Sequence, residues 1–355
     1  TNLSIANHIK DSSELTYNNI LGDEKLPSSH NGLGYKNLLK IQFELVRFAN
    51  DLNKYNDVCI PILLIEEPES HMHPQMQQVF ISYLEKFLQE ISKIKVQTVI
   101  TTHSSHIANT ISFSKIRYAY KMENEVIYKD LQRFALENPD NLDFLNKYLT
   151  LTRCDLFFAD KVILVEGASE RLLIPDMIIK SSNSLSTQYY SIIEVGGAYA
   201  HIFIPLVKFL NIPCLIITDI DSVDSEGKKC KVSKGTHSSN ATINNWVRNV
   251  KGLKQEDEIS LSLINSLTIN EKTDGKIHLE FQIYENDICG RSLEEAIINC
   301  NRALYLKSES LSEDDIEFNG KSKTTFALNL LMKNSDYNIP QYIANGLNWL
   351  SNQKR

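Results

Sequence analysis

The sequence has no Cys-x-x-Cys pair and no Cys/His cluster with zinc-ligand spacing, although it holds six cysteines. Those at 59, 154, 214, 230, 289 and 300 fall partly inside apolar runs, the pattern of reduced core thiols in a cytosolic protein rather than of a disulfide framework. No apolar run approaches the roughly 20 residues that span a bilayer, and no secretory hydrophobic region is present. Membrane and secreted readings drop out, and a cytoplasmic location is expected. Internal repeats and low-complexity tracts are missing as well.

What is there is ordinary for a globular protein. The 355 residues suit two or three domains, and 42% hydrophobic with 23% charged residues is enough to bury real cores. Lys and Arg number 37 against 44 Asp and Glu, a net charge of −7. That balance argues weakly against a generic nucleic-acid coat, but a sum conceals local patches.

Residues 1–35 are polar and rich in Asn and Ser, and helical spacing of apolar residues then runs from Leu38 to Leu52. Ile60 to Ile65 is a short apolar run, expected as a buried strand of a parallel sheet. A helix from Met76 to Ile91 and a strand from Val96 to Ile100 complete a βαβ unit. After a linker of mixed helix from about Lys129 to Leu151, a second series begins. It comprises a strand Lys161–Val165, a helix Ser169–Ile179, a strand Tyr190–Val195, a helix Ala200–Leu210 and a strand Cys214–Thr218. Residues 225–285 resist assignment, and the last 60 read as helical. The expected fold is therefore α/β throughout, one unit over 1–150 and a second over 151–355.

The first strand ends in Glu66 and Glu67, two carboxylates at the carboxyl edge of a sheet. P-loop ATPases use this arrangement, called Walker B, with one acid on the nucleotide's Mg²⁺ and the next orienting the attacking water. Ser70-His-Met-His-Pro74 follows at the place where ABC-type ATPases carry a partner-touching loop. Thr101-Thr-His-Ser104 follows the next strand and offers His103 to a γ-phosphate. Upstream, Ser28-Ser-His-Asn-Gly-Leu-Gly-Tyr35 precedes a helix and resembles an ABC signature loop, with Ser29 and Gly32 suited to an anion. Four features in one order resemble the back half of an ABC-type ATPase. The phosphate-cradling G-x-x-x-x-G-K-[ST] loop is missing. Gly320-Lys321-Ser322 lies downstream, and Asp315 stands where its first Gly would be. The chain opens on Thr1 rather than Met, so ATP binding is expected only with an N-terminal part ahead of it.

A second acidic edge lies at Val165-Glu-Gly167, where Glu166 ends a strand and Glu170 follows one helical turn on. Asp219 and Asp221 end the strand from Cys214, and alternation is expected to send both to one side. Carboxylates converging at the carboxyl edge of a parallel sheet suit hard divalent cations, Mg²⁺ or Mn²⁺. This constellation resembles the TOPRIM domain of topoisomerases, primases and certain nucleases. An ABC-type ATPase followed by TOPRIM resembles the OLD (overcoming lysogenization defect) nuclease family, which includes the nuclease subunit of Gabija anti-phage defence. The resemblance is most specific at Glu66-Glu-Pro-Glu69, Val165-Glu-Gly167, Glu194-Val-Gly-Gly197 and Thr218-Asp-Ile-Asp221.

The resemblance implies a metal-dependent DNA endonuclease that hydrolyses phosphodiesters with two metal ions. Glu166, Glu170, Asp219 and Asp221 would hold them, together with Ser292 and Glu294 of a later Ser-x-Glu element. It also implies an assisting lysine at the scissile phosphate, Lys323 with Lys321 as competitor, and it matches Arg153 to a family arginine. Residues 227–254 hold seven basic side chains and no acid: Lys228, Lys229, Lys231, Lys234, Arg248, Lys251 and Lys254. They are candidates to lead double-stranded DNA toward the metals. The ABC-like surfaces imply a homodimer or larger assembly, and Gabija-type systems imply a helicase-like partner. The alternative reading is a nucleotide-sensing ATPase or scaffold that binds DNA or a partner protein without cutting.

Overall fold

A computed structural model of the chain describes residues 16–18, 25–27, 32–54, 60–122, 124–139, 154–181, 183–305, 315–318, 320, 322–333 and 336–354. It divides into two compact units, Thr1–Ile116 and Arg117–Arg355. The junction expected near residue 150 lies outside the described residues.

In the first unit β1 (Thr16–Asn18) pairs antiparallel with β2 (Lys25–Pro27). Helix α1 (Leu33–Leu52) precedes β3 (Ile62–Glu66), α2 (Pro74–Ile91) and β4 (Gln97–Thr101). Pro74 at the first turn of α2 suits a position whose N–H has no intrahelical partner. β3 and β4 are parallel, in a register that sets Glu66 opposite Thr101. One face of this sheet, with Leu63, Ile65 and Ile100, packs on a core of Leu45, Phe80, Ile81, Leu84, Leu88 and Ile107. The other face carries Ile62 at 58% exposure, Leu64 at 69% and Val99 at 52%. The expectation of a fully buried strand is corrected here. Among the described residues the helices cover only one side of this two-stranded sheet, so alternate residues stay in water.

The second unit is built on five strands in the order β12 (Thr273–Asp274), β13 (Ile277–Glu280), β9 (Cys214–Ile217), β7 (Lys161–Val165) and β8 (Tyr190–Glu194). The last four are mutually parallel, and β12 runs antiparallel at the edge. Val162 to Val165 and Cys214 to Ile217 are at most 2% exposed, the near-continuous apolar run of strands covered on both faces. Each such side chain contributes roughly 1.5–3 kcal/mol by leaving water. The covering helices include α4 (Ala168–Ser181), α8 (Lys323–Lys333) and α9 (Gln341–Ser351), which supply Leu173, Met177, Ala327, Leu330, Tyr342 and Leu347 to the core. Between them in sequence come α5 (Ala200–Leu210), α6 (Ala241–Lys251) and α7 (Leu293–Cys300).

Two features of this unit lie outside the sequence reading. A hairpin of β5 (Arg117–Met122) and β6 (Glu125–Asp130) precedes α3 (Leu131–Glu137), which Asp130 caps by accepting from the Gln132 N–H. The hairpin docks at the end of α5, where Lys129 Nζ donates to the Phe209 carbonyl at 2.7 Å. Burial holds Lys129 below the usual lysine range. Secondly, Lys161 is buried on β7 and donates to the carbonyls of Leu350 at 2.6 Å and Ser351 at 3.0 Å. It thereby satisfies orphan carbonyls at the end of α9, and burial lowers its pKa. Among the described residues no helix is long and apolar enough to cross a membrane.

Candidate metal centre and ATPase-like loop

The parallel register of β7 and β9 sets Val165 beside Ile217, so the residues that leave each strand emerge together. Glu166 follows β7, and its Oε1 accepts from the Asp219 N–H at 3.1 Å, the Thr218 hydroxyl and the Asn240 amide at 2.8 Å. Burial, and next the charge of Asp219, raise its carboxyl to about 7. Glu170 sits in the first turn of α4 and accepts from the Gly167 N–H at 3.1 Å, reaching back over the helix start. Burial, and then Asp219, raise Glu170 to about 8.

Asp219 is buried, which raises its own carboxyl. Its Oδ1 accepts from Gln282 Nε2 at 2.7 Å and from the Leu293 N–H at 3.0 Å. Its Oδ2 lies 3.2 Å from Lys323 Nζ. The same ammonium stands 3.0 Å from Glu294 Oε2, which also accepts from the Ser292 hydroxyl at 2.9 Å. Ser292 is the N-cap residue of α7, yet its hydroxyl turns to Glu294 instead of capping the helix. Burial opposes the lysine's charge, but Asp219 and Glu294 outweigh it and hold Lys323 above the usual lysine range.

Alternation along β9 does not carry the Asp-x-Asp pair, because the strand stops at Ile217. Asp219 and Asp221 lie in the turn beyond, where Asp221 takes a left-handed backbone at φ 46°. Ile220 between them is buried, its N–H donating to Gln282 Oε1 at 2.7 Å. Asp221 faces Arg291, whose Nη2 lies 2.9 Å from Oδ1 while Nε donates to the Ser222 carbonyl at 3.1 Å. Its charge still contributes to raising Asp219.

The predicted carboxylates thus gather around one strand edge, but each is engaged by a protein donor or cation. Among the described residues no three His, Cys, Asp or Glu side chains stand ready to hold one ion as placed. The residues nevertheless fit a divalent cation. Glu294 is fully buried, and its Oε1 has no hydrogen-bond partner. An ionised carboxylate oxygen left so is costly unless a cation meets it.

Three contributors were not read from the sequence. Asn240 caps α6 through Oδ1, accepting from Thr242 and Ile243, while its Nδ2 also reaches Thr218 Oγ1 and the Asp219 carbonyl, each at 2.8 Å. Gln282 bridges Asp219 and the Ile220 N–H, and Arg291 grips Asp221. Only Asn240 carried a local signal, that of an N-cap residue before an apolar periodic stretch.

The basic stretch follows Asp221. β10 (Ser222–Val223) pairs with β11 (His237–Ser238), so most of the lysines lie in the loop between them. Lys228 is paired with Glu226 at 2.6 Å and Lys251 with Glu271, both acids from outside the acid-free window. Lys229, Lys234 and Lys254 are exposed, and Lys231 and Arg248 are half-buried.

In the first unit Glu66 ends β3 and Glu67 follows with φ 40°, its N–H donating to the Thr101 carbonyl at 3.0 Å. Glu67 Oε1 lies 3.4 Å from His103 Nε2, and Glu69 Oε1 accepts from the His103 N–H at 2.7 Å. The acidic strand end and the histidine are thereby brought together as expected of an ATPase loop. Gly32 is the N-cap residue of α1, and Asn37 Nδ2 donates to the Ser70 carbonyl at 2.8 Å, docking the helix on the loop. Ser29, Arg153 and Lys321 lie outside the described residues.

Comparison with known proteins matches residues 2–108 to the AAA ATPase domain family and residues 157–221 to the overcoming lysogenization defect protein-like TOPRIM domain. Endonuclease GajA of Bacillus cereus (strain HuB5-5) is 29% identical over 406 residues, covering 95% of this chain and 57% of the relative. OLD nuclease of Thermus scotoductus is 25% identical over 205 residues, covering 56% of this chain and 37% of the relative. The chain spans about half the length of these curated relatives. A solved C-terminal region of the Burkholderia pseudomallei OLD protein is 18% identical with a TM-score of 0.33, covering 55% of this chain and 98% of that one. The chain thus carries an AAA-type ATPase match ahead of an OLD-like TOPRIM match, and over its length it is similar to Endonuclease GajA and OLD nuclease.

Proposed function

We propose that this chain is the catalytic part of a metal-dependent DNA endonuclease, cutting at the edge where Glu166, Glu170, Asp219, Asp221, Ser292 and Glu294 meet. The observation that carries this reading is the buried Glu294 with its unpartnered Oε1 among four further acids. Glu166, Asp219 and Asp221 would share two Mg²⁺ or Mn²⁺ ions, and Glu170 and Glu294 would complete the second. Bound there, the ions would supply an activated water and stabilise charge on the scissile phosphate and its leaving oxygen.

The chain's own residues set the stage. Asn240 and Thr218 fix the Glu166 carboxylate, and Gln282 with the Leu293 N–H fixes that of Asp219. Lys323, at the start of α8 with its side chain half exposed, would meet a phosphate oxygen. Lys229, Lys231, Lys234 and Lys254 would hold the backbone of double-stranded DNA without reading its sequence. Lys228 and Lys251 join them only by releasing Glu226 and Glu271.

The front unit supports an ATPase reading, with Glu66 on a nucleotide's Mg²⁺, Glu67 on the attacking water and His103 on the γ-phosphate. Ser29 and Gly32 would act across a homodimer or larger assembly, as the composite sites of this ATPase class require. We assign regulation to residues 1–150 and cutting to 151–355. Anti-phage defence in the cytoplasm, alongside a helicase-like partner, is the setting the resemblance to GajA supports. Cleavage of supercoiled plasmid with Mg²⁺ or Mn²⁺ tests the reading. Asp219→Asn and Glu166→Gln are expected to abolish cutting while the far-ultraviolet dichroism stays unchanged, and cutting at the wild-type rate would refute it.

A further inference from the structure

Every acid of the centre meets at least one group of the protein, and two of those groups are cations. Arg291 is on Asp221, and Lys323 stands between Asp219 Oδ2 at 3.2 Å and Glu294 Oε2 at 3.0 Å. The lysine's two carboxylates come from separate elements, the turn after β9 and the start of α7, and both are buried. With their charges unopposed they would repel across a medium of low dielectric. Apart from these two ion pairs Lys323 is fixed by its backbone at the first residue of α8, and its side chain is 51% exposed. It can therefore swing outward without opening the core. Arg291 is more enclosed, at 17%, and is also tied to the Ser222 carbonyl.

We infer that Lys323 is a resident cation, which holds the gap between Asp219 and Glu294 in the metal-free protein and vacates it when a divalent ion takes that gap. The inference rests on the nuclease reading and adds a coupling to it. An ion held by Asp219 and Glu294 would need the space the ammonium fills, so loading would exchange one cation for another. The displaced ammonium requires a new anion, and a DNA phosphate at the same edge is the group that supplies one. Ion and DNA therefore strengthen each other's binding, by equal factors as linkage demands. The lysine has two stations, one on the carboxylates and one on the phosphate, and the enzyme without DNA keeps its second ion weakly. Such a device limits metal-loaded enzyme to the DNA-bound state.

Calorimetric titration of Mn²⁺ into the wild-type chain, Lys323→Met and Lys323→Gln tests this without reference to cutting. The wild type is expected to show one stronger and one weaker ion. Both variants should bind the weaker ion roughly tenfold more tightly. A short phosphorothioate duplex should raise the wild type toward the variants and leave the variants little changed. In EDTA the variants should melt below the wild type, with Mn²⁺ restoring them. Mn²⁺ uptake by the wild type with equal or weaker uptake by both variants overturns the resident cation and leaves the nuclease reading standing. Uptake by the variants alone supports it, and no uptake by any of the three overturns both readings.

Discussion

Asn240 Nδ2 lies 2.8 Å from Glu166 Oε1 and joins the start of one helix to the end of a strand 74 residues earlier. One amide serves two purposes, since its oxygen caps α6 while its nitrogen aims a candidate metal ligand. Asn240→Ala removes both. The lost cap alone should cost about 1 kcal/mol, and freeing Glu166 should weaken Mn²⁺ binding. Asn240→Asp keeps the cap but sets a second carboxylate against Glu166, so it should retain stability at low pH and lose it near neutrality. Urea melts at two pH values check both variants.

Arg291 and Asp221 give a second prediction. Asp221 holds a left-handed backbone with a guanidinium on its carboxylate. Arg291→Ala should reduce stability in EDTA by about 1–3 kcal/mol, because the buried Ser222 carbonyl also loses a donor. Saturating Mn²⁺ should recover most of the loss if Asp221 takes an ion in place of the guanidinium. A melting series across Mn²⁺ concentrations reads this directly.

The Lys251–Glu271 pair predicts a pH dependence on the acid side. Lys251 hydrogen-bonds Glu271, Thr268 adds its N–H and hydroxyl, and the carboxyl is lowered to about 2 from its usual 4.5. A lowered carboxyl contributes stability that is whole above 4.5 and fades as pH falls toward 2. In Lys251→Met the Glu271 carboxyl should titrate nearer its usual value, as followed by carbon-detected NMR. An unmoved titration would show that Lys251 is not held by Glu271 in solution and stands open to DNA.

Gly34 reverses a familiar rule. Alanine in place of a helical glycine ordinarily gains about 1 kcal/mol. Here a β-carbon would fall 2.2 Å from the His71 carbonyl oxygen, a backbone atom that cannot turn away. Gly34→Ala should therefore destabilise the docking of α1 on the loop after Glu67, by about 2 kcal/mol. Faster hydrogen exchange of amides 67–72 is the expected sign.

Strands such as Lys161–Val165 and helices such as Ala200–Leu210 were legible to the residue, because their apolar runs are bounded by turn-forming residues. The β5–β6 hairpin was not. Only Tyr118 and Tyr120 among its strand residues are buried, so the segment offers too short an apolar pattern to be assigned from sequence. β13 was hidden for the opposite reason. His278 and Glu280 are buried polar residues within the strand, joined to each other at 3.1 Å, and Glu280 also accepts from Lys272. A one-dimensional pattern counts them as surface, and only the folded pairing makes them core. The acids of the centre were legible because a carboxylate ending an apolar run is conspicuous. Their holders were not, since Gln282 meets Asp219 across 63 positions and Arg291 meets Asp221 across 70. Such pairings leave no trace in spacing.

The bond from Lys161 to the Leu350 carbonyl has a consequence for how the chain is made. The ribosome delivers the lysine 189 residues before its partner. During that interval the strand that leads into Glu166 has a cationic side chain whose acceptors, the carbonyls of Leu350 and Ser351, have not yet been made. The sheet cannot close around it until α9 emerges, and early collapse is disfavoured by a charge that must stay wet. Assembly of the acidic edge is thereby deferred until residues 341–351 emerge, and a nascent chain interrupted before Leu350 carries the candidate ligands without a closed core to aim them.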